Sequence, residues 1–145
     1  MVSFITNLKL ILFLLLILNV GLVFLFKNPF RLVKGPFVLF CFLAITFLGY
    51  RLLFYPKIDK EIQTEKQAEI KKKGWKYIDD PEMDAGFIIR QQTNGIINSA
   101  LFRIIGLQTV FAFIAAAIGF FTSSDKKVYG LYALGFLILA LLFLT

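Results

Sequence analysis

Four long apolar runs, separated by polar stretches of unequal length, dominate the pattern of the chain. They cover approximately residues 8–26, 36–55, 103–121 and 128–145. Each run has about the 20 residues that an α-helix needs to cross the hydrocarbon core of a bilayer. No Asp, Glu, Lys or Arg lies near the centre of any run. The pattern predicts an all-α integral membrane protein, a single domain over residues 1–145 with about four transmembrane helices.

A polar segment of approximately residues 57–95 separates the second span from the third. Its first part is rich in Lys, Glu and Gln, which is typical of a solvated helix that extends from the second span and ends at Gly74. Asp80 and Pro81 then match the N-cap and first position of a new helix. We expect that helix to run from Pro81 to about Asn94, separate from the third span, and to lie at the membrane surface or against other helices.

The connection between the first two spans, residues 27–36, contains two prolines and a glycine. These residues predict a tight turn, with the second helix beginning near Pro36 and leaving the membrane at Pro56. The first span has no A-x-A-like cleavage site behind it, and the first alanine of the chain is Ala44. It is therefore interpreted as a signal anchor.

Composition agrees with a membrane protein and excludes several kinds of chemistry. The chain is 59% hydrophobic, against about 45–50% for soluble domains, and it contains no histidine. Histidine-ligated metals and histidine acid–base catalysis are thereby excluded. Cys41 is the single cysteine, so no intrachain disulfide partner exists. We predict no catalytic residue, no metal and no cofactor.

The basic residues predict how the chain sits in the membrane. A net charge of +7 is compatible with nucleic-acid binding, but Lys and Arg beside apolar spans are expected on the cytoplasmic side, and no nucleic-acid partner is predicted. With four spans, one side carries Lys9, Arg51, Lys57, Lys60, Lys66, Lys71, Lys72, Lys73, Lys76, Arg90 and Arg103. The other side carries Lys27, Arg31, Lys34, Lys126 and Lys127. This distribution favours two cytoplasmic termini in a bacterial inner membrane, with an organellar membrane as the alternative.

Small and polar residues within the spans indicate how the helices pack. The third span is rich in small residues that permit close helix contact, namely Gly106, Ala112, Ala115, Ala116 and Gly119. Three amide or hydroxyl side chains lie at mid-span, namely Asn19, Gln108 and Thr109. Such groups more often hydrogen-bond between helices than line a path for a solute. The first span is bulky apart from Asn19 and Gly21, and we expect it to face lipid or make a shallow contact.

Two charged clusters remain. A basic and aromatic patch consists of Lys71, Lys72, Lys73, Trp75 and Lys76. It matches either a lipid-headgroup site or a solvated helix end. An acidic cluster consists of Asp79, Asp80, Glu82 and Asp84. A helix start explains it without a bound metal.

These features together predict a non-catalytic role within the membrane. The leading hypothesis is a small accessory or structural subunit of a larger membrane protein complex, with the bilayer and other membrane subunits as partners. One alternative is a membrane-resident protective, immunity or regulatory protein. Another is a self-associating pore or small transporter lined by Asn19, Gln108 and Thr109.

The four-span topology makes a prediction about sidedness. Cysteines introduced at Gln67 and at Ser124 should react with an impermeant thiol reagent from opposite sides of the membrane, because one span separates the two loops. Labelling of both positions from the same side would contradict the four-span topology.

Overall fold

The polypeptide is helical almost throughout the ranges that the structure describes. The computed structural model describes residues 7–26, 30–74 and 81–144, with backbone alone at 81–83 and 144. Its elements are α1 (Leu8–Leu25), α2 (Arg31–Gly49), a π-helical turn (Tyr50–Phe54), α3 (Tyr55–Lys73), α4 (Pro81–Thr122) and α5 (Lys126–Leu144). The expected all-helical architecture is confirmed.

Within the described ranges, four helices are long and apolar enough to cross a membrane. They lie within Leu8–Leu25, Arg31–Lys73, Asp84–Thr122 and Lys126–Phe143. Their number agrees with the four apolar runs of the sequence, and they fit a multi-pass membrane protein.

α1 packs through one narrow stripe of side chains. The Asn7 side chain caps the helix by accepting a hydrogen bond from the Leu10 N–H, at 3.3 Å. Ile11 and Leu15 are buried and form a cluster with Leu39 of α2, Leu15 being only 4% exposed. Phe13, on another face, remains exposed. Only Ile11, Leu15 and Asn19 of this span are buried, so its contact with the other helices is narrow, in agreement with the expectation from its bulky surface.

α2 begins earlier than the sequence indicated. The Phe30 carbonyl accepts hydrogen bonds from the N–H groups of Val33 and Lys34, at 3.0 and 2.9 Å, so the helix starts at Arg31. Pro36 is consequently buried inside the helix and does not start it. The predicted turn over residues 27–36 thus extends no further than Phe30, and residues 27–29 lie outside the described ranges.

Gly35 explains why the Gly–Pro pair lies inside a helix. A Cβ atom at Gly35 would lie 3.0 Å from backbone atoms of Leu22 and Val23 in α1. Real Cβ atoms are rarely so close to a backbone, and glycine therefore allows α1 and α2 to approach each other. The pair that resembled a turn serves a helix–helix contact.

A π-helical turn connects α2 to α3 without a break. The Tyr55 N–H donates to the Tyr50 carbonyl, five residues back. The next residue, Pro56, has no N–H, and such sites commonly interrupt the regular α-helical ladder. The chain nevertheless stays helical over Arg31–Lys73, 43 residues, or about 65 Å at 1.5 Å per residue.

α4 is the central helix of the molecule. It is 42 residues long and contacts α1, α2, α3 and α5. The prediction of a separate helix ending near Asn94, followed by a third span, is wrong, because Pro81–Thr122 is one continuous helix. Glycine within a helix costs only about 1 kcal/mol relative to alanine, and packing against several neighbours offsets that cost at Gly95.

Small residues near the carboxyl end of α4 hold α5 and α2 close. Ala116 is fully buried in a cluster with Val33 of α2 and Tyr129 of α5. The Tyr129 ring also lies against Phe30, with ring centroids 5.6 Å apart. A Cβ atom at Gly119 would lie only 2.1 Å from this ring. The ring therefore occupies the space that any side chain at Gly119 would need.

Gly119→Ala should destabilise the fold, because Tyr129 is buried and its ring cannot easily move away. We expect a loss of about 1–3 kcal/mol, the usual cost of overpacking. Thermal unfolding of the purified protein in detergent measures the change. Gly135→Ala in α5 is the control, since a Cβ atom there has no neighbour within 4 Å. Equal melting temperatures for the two variants would contradict the contact.

Candidate functional site

A pair of buried amides joins three helices in the middle of the apolar part. Asn19 of α1 donates to Gln108 of α4 at 2.8 Å, and Gln108 donates back to the Asn19 side-chain oxygen at 2.9 Å. Gln108 also donates to the main-chain carbonyl of Pro36 in α2, at 3.0 Å. Asn19 donates to the Leu15 carbonyl of its own helix at 2.7 Å. We call this set of contacts the amide pair.

Both side chains of the amide pair use their full donor capacity. An amide has two N–H donors and one carbonyl acceptor, and all of these groups have partners in each of the two residues. An unpartnered amide in an apolar interior is costly, whereas a satisfied pair contributes roughly 0.5–2 kcal/mol between helices. The pair therefore fixes which faces of α1, α2 and α4 meet.

The other mid-span hydroxyl groups bond within their own helices. Thr109 is fully buried, and its hydroxyl donates to the Gly106 carbonyl at 2.6 Å. The Thr46 hydroxyl donates to the Phe42 carbonyl at 2.8 Å on an exposed face of α2. Asn19, Gln108 and Thr109 are therefore buried inside the single chain and bonded there.

The small residues named from the sequence lie mostly in the interior. Gly106, Ala112, Ala116 and Gly119 are buried, and Ala115 is partly exposed. Ala116 and Gly119 face α2 and α5 of the same chain. These two positions are therefore used within the chain and leave little surface there for another subunit.

A second polar contact lies beside the π-helical turn. The Tyr50 hydroxyl donates to the side-chain oxygen of Asn94, and the Asn94 amide donates to the Tyr55 carbonyl at 3.3 Å. Asn94 is buried, although it belongs to a polar stretch of the sequence. The contact fastens α4 to the place where α2 changes into α3.

Ion pairs hold α3 against the first half of α4, and we call these two segments the α3–α4 hairpin. Lys66 lies 2.5 Å from Asp84, and Arg90 lies 2.5 Å from Glu65. The side chains are about half exposed, so each pair contributes at most about 1 kcal/mol. The buried Ile62 adds an apolar contact. The hairpin is thus held by two partly exposed ion pairs together with the burial of Ile62.

The basic patch is only partly within the described ranges. Lys71, Lys72 and Lys73 are exposed in the last turn of α3, and Lys72 lies 3.9 Å from Glu69. Trp75 and Lys76 lie outside the described residues. The described lysines occupy the carboxyl end of a helix, where cations are favoured.

The acidic cluster is likewise only partly described. Asp79 and Asp80 lie outside the described ranges, so the predicted N-cap is not seen. Asp84 pairs with Lys66. Among the described residues, no group of three Asp, Glu, Cys or His side chains is placed to hold a metal ion.

Comparison with known proteins assigns the chain to no family. No family model matches it, and neither a characterised protein nor a solved structure shows significant similarity.

Sequence reasoning missed two elements of these contacts. The sequence contains no signal for the hydrogen bond between Gln108 and the Pro36 carbonyl, because main-chain groups are the same at every position. Asn94 did leave one, since it lies 14 residues before Gln108, close to four full turns of one helix, and so shares its face. Recognition of that face required the helix to be continuous.

Removing both members of the amide pair should cost less than the sum of the two single removals. Asn19→Leu leaves buried Gln108 groups without partners and should destabilise the protein by about 1–3 kcal/mol. Gln108→Leu should behave similarly, and the double variant should lose less than the sum of the two. Unfolding of the native chain and the three variants in mixed detergent micelles gives the coupling free energy between the two substitutions. We expect it to be about 0.5–2 kcal/mol.

Thr46→Val is the control for the two amide substitutions, because the Thr46 hydroxyl is exposed and hydrogen-bonds only within its own helix. It should change stability by a few tenths of a kcal/mol. Strict additivity of the two amide substitutions would show that they do not stabilise the fold as a pair.

Proposed function

We propose that this chain is a small non-catalytic subunit of a larger membrane protein complex, with the α3–α4 hairpin as its contact surface outside the bilayer. The observation that carries the proposal is that large apolar side chains remain exposed on this hairpin. Ile88 is 43% exposed and Ile89 is 60% exposed, on the half of α4 that lies beside the charged helix α3. Outside lipid, such side chains are best covered by another protein.

The helix lengths support a position across the bilayer. α1 has 18 residues, and α2 and α5 have 19 each, which gives about 27–29 Å against a hydrocarbon core of about 30 Å. Exposed basic residues lie at both ends of these helices. At one end they are Arg31, Lys34, Lys126 and Lys127, and at the other end they are Lys9, Arg51 and Arg103. The α3–α4 hairpin extends beyond the second of these levels.

The charge distribution supports an orientation. The hairpin and both ends of the described chain belong to the side that carries the larger number of Lys and Arg residues. The cytoplasmic side normally carries this excess. The proposed contact surface is therefore cytoplasmic, and the membrane is a bacterial inner membrane or its organellar counterpart.

The internal contacts argue against a self-associating pore. Such a pore needs polar side chains directed at a lumen, and the mid-span amides are instead bonded to each other. A protective or regulatory membrane protein would share the geometry of a structural subunit. The identity of the protein that co-purifies distinguishes these two roles.

The test is co-purification from native membranes after mild detergent extraction. The double variant Ile88→Ala, Ile89→Ala should recover several-fold less partner protein than the native chain, because it removes exposed apolar surface from the proposed interface. Its own abundance and melting temperature should stay close to native, since both side chains are largely exposed.

The matched control is Ile45→Ala with Ile138→Ala, two isoleucines on the lipid-facing surface that are 71% and 51% exposed. This variant should retain the partner. If both double variants retained the same partners in full, or if the native chain recovered none, the subunit hypothesis would be wrong.

A further inference from the structure

A groove lies between the first turn of α1 and the middle of α4, at the level where the hairpin leaves the apolar part. Its volume is about 670 Å³, within the 300–1,000 Å³ that is usual for small-molecule sites. Leu8 and Ile11 form one wall. The opposite wall is a face of α4 that includes Gly95, Ser99 and Arg103. The amide pair and the α3–α4 ion pairs use no residue that lines this groove.

The lining changes character along the helix axis. Towards the hairpin it contains the polar side chains of Gln92, Ser99 and Arg103, beside Gly95, Ile96 and Ala100. Beyond Arg103, towards the centre of the apolar part, α4 contributes Ile104 and Leu107 only. A molecule that matches this lining is charged or polar at one end and hydrocarbon at the other.

Arg103 supplies the charge at the polar end. Its side chain is exposed, and it forms no ion pair with any carboxylate in the described part of the chain. Ser99 lies four residues earlier, so its hydroxyl is a neighbour on the same helix face. A guanidinium beside a hydroxyl at the membrane surface is well suited to a phosphate group.

We propose that this groove binds a phospholipid, with its phosphate on Arg103 and Ser99 and an acyl chain along Ile104, Leu107 and Ile11. Basic pockets between membrane helices recognise lipid headgroups in this manner. The polarity of the groove matches the direction in which a lipid of the same leaflet would lie. The inference rests on the proposed position in the membrane and is independent of membership in a complex.

The experiment measures lipid binding to the purified full-length protein by native mass spectrometry. Phosphatidylglycerol is the probe, and a diacylglycerol with the same acyl chains is the phosphate-free comparison. The native chain should retain the phospholipid with at least tenfold preference. Arg103→Gln should weaken phospholipid binding about tenfold, the loss expected for one charge-assisted contact. Binding of the diacylglycerol should not change.

Two matched controls separate the groove from the rest of the surface. Arg51 is the exposed arginine at the same level on the other long helical segment, where it lies over the Phe47 ring. The Arg51→Gln variant should bind the phospholipid normally. Gly95→Leu should fill the groove and weaken binding, because nothing lies within 4 Å of a Cβ atom there. Gly86→Leu is equally open but lies outside the groove, and should not affect binding.

Three results would overturn the assignment. One is equal binding by the native chain and Arg103→Gln, and another is equal retention of the two lipids. The third is a Gly95→Leu variant that loses a protein partner from membranes yet binds phospholipid normally, which would make the groove a protein contact. If the double variant Ile88→Ala, Ile89→Ala lost protein partners but still bound phospholipid, the result would concern the proposed function and not the groove.

Discussion

The need to satisfy every amide group in an interior without water decides how the helices of this chain are arranged. Asn19 and Gln108 each have two N–H donors, and in an apolar interior these groups have only protein partners available. The contact between them, together with the carbonyls of Leu15 and Pro36, satisfies all of them and connects α1, α2 and α4. Apolar packing is comparatively indifferent to rotation of a helix about its axis, whereas a reciprocal pair of hydrogen bonds is not.

α4 combines two kinds of packing along its length. Near Ala116 and Gly119 it is narrow, and the bulky Tyr129 side chain of α5 occupies the space. Near Arg90 and Asp84 it is held to α3 by partly exposed ion pairs. The first kind depends on close contact and is suited to a lipid environment. The second is weaker and depends on solvent and salt.

The sequence predicted the number of apolar spans and the polar residues inside them, because runs of about 20 apolar residues and isolated amides are local features. It did not predict which stripe of α1 is buried, since the helix is apolar on nearly every face and has no periodicity to distinguish Leu15 from Phe13. It also misjudged Pro36 and the continuity of α4. Local rules interpret a Gly–Pro pair or a polar stretch as a boundary, and only tertiary contacts at Gly35 and Asn94 reverse that interpretation.

The π-helical turn at Tyr50–Phe54 has a consequence for the angular phase of the two helices that it joins. A bond from Tyr55 to the carbonyl five residues back accommodates one residue more than an α-helical turn does. Each residue of an α-helix corresponds to about 100° of rotation, so one extra residue turns everything that follows by approximately that angle. The side of α3 that contacts α4 includes Ile62 and Glu65. It is therefore not a straight continuation of the side of α2 that contacts α4. The π-helical turn acts as a fixed angular offset, so that α2 and α3 contact α4 through different sides of one continuous helical segment.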